Sequence, residues 1–243
     1  MKAILFDLGG VLIDLAPSRV FEHWAKAADV TPASLAARWK IEAAYKAHEE
    51  GKMEFIEFTS HLQKQLGISI TQSDWKTGWN ALLGQPFPDL LPRLSALAKR
   101  IPLYCFSNTN QTHWTALTAR TNHPQLGGFF QKIYLSYAIG RRKPNVESYR
   151  WVTNDMGYRP TDIAFLDDNA ANIHGAKRAG LCTTHVTSPK VVIDFLDTLT
   201  DLLHDLRDID GIRLDVKFCH WVTGSPIHRY DRGEKRGRSS RSS

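Results

Sequence analysis

Five short apolar runs punctuate the chain: Ala3–Phe6, Pro102–Phe106, Lys132–Leu135, Ile163–Leu166 and Thr183–Val186. Each is β-rich and too short for a helix, and helix-like stretches of ten or more residues separate most of them. That alternation predicts an α/β fold, a parallel sheet flanked by helices. The first interval breaks the alternation. From Asp14 to about Pro88 there is no strand signal, only helical spacing: Phe55, Phe58, Leu62 and Leu66 recur every three or four residues, as do Trp75, Trp79, Leu82 and Leu83. Thr31-Pro32 and Thr71-Gln-Ser-Asp74 read as helix starts, the second as a variant capping box, while Gly51 and Gly67 read as helix ends. Residues 15–87 are therefore expected to be an all-helical cap inserted after the first strand, with 1–14 and 88–210 forming the core domain. At helical spacing Phe21, Trp24, Trp39, Tyr45, Trp75 and Trp79 are expected to pack in the cap interior. His23 and His48 are expected to be solvated helix histidines.

A chain of 243 residues with 42% apolar and 23% charged residues has the composition of a globular protein with a sizeable core. Asp7 interrupts the apolar N-terminus and no small-residue cleavage site follows, so a signal peptide is not expected. No stretch approaches a membrane span, and no membrane partner is expected. Cys105, Cys182 and Cys219 are far apart and form no Cys-x-x-Cys pair. They read as reduced thiols of a cytoplasmic protein. The net charge of +6 is unevenly spread: residues 211–243 hold eight bases and three acids, leaving 23 bases and 22 acids in residues 1–210. The basic excess thus belongs to the tail, whose end "DRGEKRGRSSRSS" reads as disordered and solvated, and nucleic acid is not the expected partner.

In an open parallel sheet ligands bind beyond the carboxyl ends of the strands. Here those ends carry Asp7, then Ser107-Asn108-Thr109, then the loop "GRRKP" from Gly140 to Pro144, then Asp167-Asp168-Asn169. Singly these are ordinary turn and cap residues. Together they bring acids, hydroxyls and a lysine to one rim.

The stretches "FDLGGVLID", "CFSNTN", "GRRKP" and "FLDDNAANIHGAKRAG", in that order over residues 1 to about 190, resemble the four motifs of the haloacid dehalogenase superfamily. The spelling is most similar to the bacterial α-D-glucose-1-phosphate phosphatase group and to the phosphatase domain at the N-terminus of some epoxide hydrolases. The resemblance implies a Rossmann-like three-layer core with a C1-type helical cap. It also implies a Mg²⁺-dependent phosphatase acting on a small phosphorylated metabolite, plausibly a sugar phosphate such as a hexose 1-phosphate. On that resemblance Asp7 is the nucleophile that forms an aspartyl-phosphate. Asp7, Asp168 and the backbone carbonyl of Gly9 hold Mg²⁺, and Asn172, in a second-acid position, could hold a metal-bound water. Ser107 and the amide of Asn108 bind the phosphoryl oxygens, Lys143 offsets the charge of Asp7 and phosphate, and Asp167 orients its loop.

Gly9 departs from the family pattern. Most such phosphatases carry there an aspartate that protonates the leaving alcohol and activates water. Three readings stay open: a leaving group that needs little protonation, another acid in its place, or lost catalysis. Asp14 reads as structural. A 2-haloacid dehalogenase is the rival enzyme, since halide leaves without a proton, but "DDNAAN" keeps the acids that a metal needs. A catalytically inactive binding protein of the same fold is the third reading.

Overall fold

The computed structural model describes residues 1–119 and 127–205. The chain begins with β1 (Ala3–Phe6) and β2 (Ile13–Leu15). Five helices follow: α1 (Pro17–Ala28), α2 (Pro32–Arg38), α3 (Ala43–Glu49), α4 (Phe55–Leu66) and α5 (Gln72–Asn80). It continues through β3 (Leu83–Pro86), α6 (Leu90–Ala98), β4 (Leu103–Ser107), α7 (Gln111–Thr118), β5 (Lys132–Leu135) and α8 (Ser136–Ile139). Last come α9 (Val146–Met156), a 3₁₀ turn, β6 (Ile163–Asp167), α10 (Ala170–Arg178), β7 (Cys182–His185) and α11 (Pro189–Asp205).

The five expected strands form one parallel sheet in the order β5-β4-β1-β6-β7. Its inner strands β1, β4 and β6 are mostly apolar at successive positions because both faces are covered. Ile4 and Phe6 face one layer, with Leu90, Leu94 and Leu97 of α6 and Val192, Phe195 and Leu196 of α11. Ala3 and Leu5 face the other, with Tyr149 and Val152 of α9 and Ile173 and Ala176 of α10. β1 is the central strand, with Phe6 opposite Cys105 on one side and Leu166 on the other. Asp7 therefore leaves the middle of the sheet.

The cap encloses its own apolar core. Phe58, Leu62 and Leu66 point inward from α4, and Trp24, Trp75 and Trp79 close around them. Trp24 stacks on Trp79 at 5.9 Å and donates its indole N–H to the Trp75 carbonyl at 3.2 Å. Phe21, Trp39 and Tyr45 pack half-buried against this cluster. Thr31 and Thr71 cap α2 and α5, and Gly67 ends α4 in the left-handed region at φ 63°. At Thr71 the box is only half formed, since the Asp74 carboxylate accepts from the Thr71 hydroxyl instead of a backbone N–H. The reciprocal box lies at Glu54 and Glu57, where no helix start was expected.

Two further expectations need correction. Leu83 does not continue the helical face of Trp75 and Trp79: α5 stops at Asn80, and Leu83–Pro86 pairs antiparallel with Ile13–Leu15. These strands of three and four residues carry Asp14, Gly84 and Pro86, too little pattern to outweigh the neighbouring helices. His48 is buried instead of solvated, stacked on Phe58 at 4.6 Å with Nδ1 on the Met53 carbonyl at 2.9 Å. Among the cysteines Cys105 is a buried free thiol. Cys219 and the basic tail lie outside the described residues. No helix of the described residues is long and apolar enough to cross a membrane.

Candidate active site

Asp7 hangs from the end of β1, its amide donating to the Leu166 carbonyl at 2.8 Å. Ser107 ends β4 and Asp167 ends β6, both buried, while the Asp168 that follows is exposed. After α8, Gly140 turns the chain at φ 64° and carries Arg142 and Lys143 back toward the sheet. The Asn108 side chain fixes this loop from both sides: Nδ2 donates to the Lys143 carbonyl and Oδ1 accepts the Lys143 N–H, each at 2.9 Å. The sequence placed these residues on one rim. The structure adds a direct tie between the loop after β4 and the lysine loop.

Lys143 has a fully buried side chain. Its ammonium lies 2.8 Å from Asp7 Oδ1 and 2.6 Å from Asp167 Oδ2, against the rings of Phe106 and Phe165. Burial pulls the affinity of the amine for its proton down, but the Asp167 and Asp7 carboxylates more than reverse that and hold the amine charged. Burial pushes the Asp7 carboxyl up to about 7, against the pull of Lys143. It raises Asp168 as well, with Asp167 adding to the effect.

Asp167 is saturated by protein donors. Besides Lys143 it accepts the Asn169 N–H at 2.8 Å, and Asn172 Nδ2 reaches both its oxygens at 3.0 and 3.1 Å. Asn172 is thus directed at Asp167, and its own carbonyl accepts from Tyr149 at 2.7 Å. Asp7, Asp167 and Asp168 each offer an oxygen within 4.8 Å of the others. Three carboxylates against one ammonium leave a surplus of negative charge on hard oxygen donors, which fits a small divalent cation such as Mg²⁺.

Residues 1–180 match the family of haloacid dehalogenase-like hydrolases. The chain belongs to that family. This hydrolase is 27% identical over 207 residues to the D-ribitol-5-phosphate phosphatase of Bacteroides thetaiotaomicron, covering 84% of this chain and 99% of that protein. It superposes with a TM-score of 0.66 on an enzyme of the family from the same organism, solved in complex with magnesium and inorganic phosphate. That match is 28% identical and covers 76% of this chain and 93% of the other. The L-2-haloacid dehalogenase of Xanthobacter autotrophicus shares the fold, with a TM-score of 0.57 at 22% identity over 91% of this chain and 88% of that one.

The rim of the hydrolase opens into a cavity of about 210 Å³ between core and cap. Its floor is Asp7, Ser107, Asn108 and Asp168. Ile13, Leu15, Leu82 and Leu83, from the short β2–β3 pair and the end of the cap, form an apolar side. A Cβ built on Gly9 would lie 2.7 Å from Leu15 Cδ1, so Leu15 fills the space where a side chain at position 9 would begin. Gly10 is constrained differently: its φ is +74°, and a Cβ there would meet the Asp168 carboxylate.

Three functional candidates escaped sequence reasoning. Ser136 is buried, and its hydroxyl both accepts the Thr109 N–H at 2.8 Å and donates to the Thr109 carbonyl at 2.9 Å, bracing the loop after β4. On the far side of the cavity Glu49 of α3 and Arg142 of the lysine loop form an ion pair. Arg142 adjoins Lys143 in the third motif, yet its partner is 93 positions away, so no local pattern could have announced the pair.

Proposed function

We propose that this hydrolase cleaves small phosphomonoesters through an aspartyl-phosphate on Asp7, with an uncharged sugar or polyol phosphate, such as a hexose 1-phosphate, as its class of substrate. The observation that carries the reading is the buried Lys143 ammonium bridging Asp7 and Asp167 beside Asp168. In that arrangement the ammonium opposes the protonation that burial favours at Asp7 and so supports the ionised, nucleophilic form. Asp7 attacks phosphorus as the bond to the leaving oxygen breaks, the departing oxygen takes up a proton, and water then releases phosphate and restores the carboxylate. Asp7, Asp168 and the Gly9 carbonyl would hold Mg²⁺, which would supply the positive charge that lets two anions approach. Ser107 and the Asn108 amide receive the phosphoryl oxygens. Asp167, occupied by Lys143, Asn169 and Asn172, keeps the lysine in place.

A panel of phosphomonoesters and 2-haloacids, assayed with Mg²⁺ and with a chelator, tests the reaction. Phosphate release is expected only from the esters and should drop by about 10²-fold or more on chelation. Halide release by the chelated protein, with esters untouched, would establish the dehalogenase reading instead.

Gly9 supports a leaving group that departs with little proton donation. Aryl phosphates and sugar 1-phosphates should then outrun sugar 6-phosphates in single-turnover phosphorylation. Because Leu15 fills the adjoining space, Gly9→Asp alone should strain the turn, and Gly9→Asp with Leu15→Ala should accept the new carboxylate. The double variant is expected to speed alkyl esters about tenfold or more relative to aryl esters. An equally shallow dependence on leaving group in wild type would mean that another acid already serves.

A further inference from the structure

The alcohol side of the cavity holds a cation, but it is not an open one. Arg142 places Nε and Nη2 on the single oxygen Glu49 Oε2, at 2.9 and 2.7 Å. Both side chains are largely withdrawn from water, 17% exposed for Arg142 and 7% for Glu49. Burial raises the Glu49 carboxyl and Arg142 pulls it down, and so short a contact with two guanidinium nitrogens is the one expected of an ionised carboxylate. Tyr45 lines the cavity beside this pair.

The remaining basic groups near the cavity offer no compensation. Lys143 is buried and divided between Asp7 and Asp167. His113 is neutral in this setting: its Nε2 donates to the Trp79 carbonyl at 3.0 Å, its Nδ1 accepts from Asn110 Nδ2 at 3.2 Å, and burial presses its pKa down to about 4. The other side is the apolar surface of Ile13, Leu15, Leu82 and Leu83.

We infer that Glu49 cancels the charge of Arg142 so that the pocket accepts phosphate esters of uncharged alcohols and turns away those bearing a second phosphate or a carboxylate. The inference rests on the phosphatase reading above and narrows it. A second anion entering the cavity loses its hydration, finds among the described residues no unpaired cation, and approaches the Glu49 carboxylate. A hydroxylated or apolar alcohol loses little by comparison, because Tyr45 and the paired charges still give and take hydrogen bonds.

The test is the selectivity ratio: kcat/KM for a sugar bisphosphate or a phosphorylated hydroxy acid, divided by that for a pentitol or hexose monophosphate. Wild type is expected to favour the uncharged alcohols by about 10²-fold. Glu49→Gln frees Arg142 and should raise the relative rate of the doubly anionic esters about tenfold or more, whatever it does to the absolute rate. Arg142→Gln leaves Glu49 uncompensated and should lower the ratio further. Pairing both substitutions should return it toward the wild-type value. A purely structural role for the ion pair would slow all esters alike and leave the ratio flat in every variant, which overturns the inference. So would a wild type that takes bisphosphates as readily as monophosphates. If Glu49→Gln fails to fold, the Arg142→Gln and double variants decide by the same ratio. No phosphate release from any ester overturns the proposed reaction, whereas release without charge discrimination overturns only the selectivity argued from Glu49.

Discussion

Asp7→Asn is expected to cost about 10⁴-fold or more in phosphate-ester turnover while the protein stays folded. The side chain keeps its shape, and Lys143 keeps Asp167 at 2.6 Å, so no buried cation is stranded. An amide, however, is a poor nucleophile toward phosphorus. Acid-quenched single turnovers with labelled substrate should trap phosphoenzyme in wild type and none in the variant. The thermal midpoints of the two should differ by no more than a few degrees. Normal phosphate release by a folded Asp7→Asn protein would sink the covalent mechanism.

Lys143→Met should be the most damaging substitution for fold and reaction together. The ammonium is the shared counter-charge of Asp7 and Asp167, one of which is fully buried. Removing it leaves two carboxylates facing each other out of water, at a cost of about 3–5 kcal/mol. The pH dependence has a definite sign. Burial already raises the Asp7 carboxyl to about 7 with Lys143 opposing it, and without the lysine it rises further. A carboxyl raised in the folded state binds its proton more tightly there than in the unfolded chain. Its effect is therefore to lower stability as pH climbs from near 4 through the raised value. The deficit of Lys143→Met relative to wild type should accordingly be largest near pH 8 and shrink toward pH 5, as measured by denaturant unfolding in chelator. A deficit independent of pH would mean that lost packing, and not stranded charge, is the cause.

The sequence disclosed what rests on local pattern. Ala3–Phe6 forms a strand at the expected bounds because a strand buried on both faces must be apolar throughout, and Lys132–Leu135 does so as an edge strand with Lys132 exposed. The residues at the strand ends are brought to one rim, since the topology of a parallel sheet decides where those ends lie. Contacts between distant segments stayed hidden. Leu15 fills the space beside Gly9 only because β2 folds back over that turn, and a half-buried leucine in an unaligned cap boundary carries no sign of it. Glu49 looks like any helix acid until α3 sets it against Arg142. The short strands Ile13–Leu15 and Leu83–Pro86 escaped because their pairing is defined by each other and not by either segment's composition.

That small ladder has a consequence for how such a protein can change. The chain departs from the sheet domain along β2 and returns along its antiparallel partner, with Leu15 opposite Leu83. To the rest of the molecule everything between them is one hairpin loop, however long. The entropy of closing a loop grows only with the logarithm of its length, so lengthening, shortening or rewriting that segment barely alters the cost of holding its two ends together. Mutation can therefore remodel the side of the cavity that chooses the alcohol while the carboxylates and the lysine stay in register. A lineage built this way diversifies its diet without reinventing its chemistry.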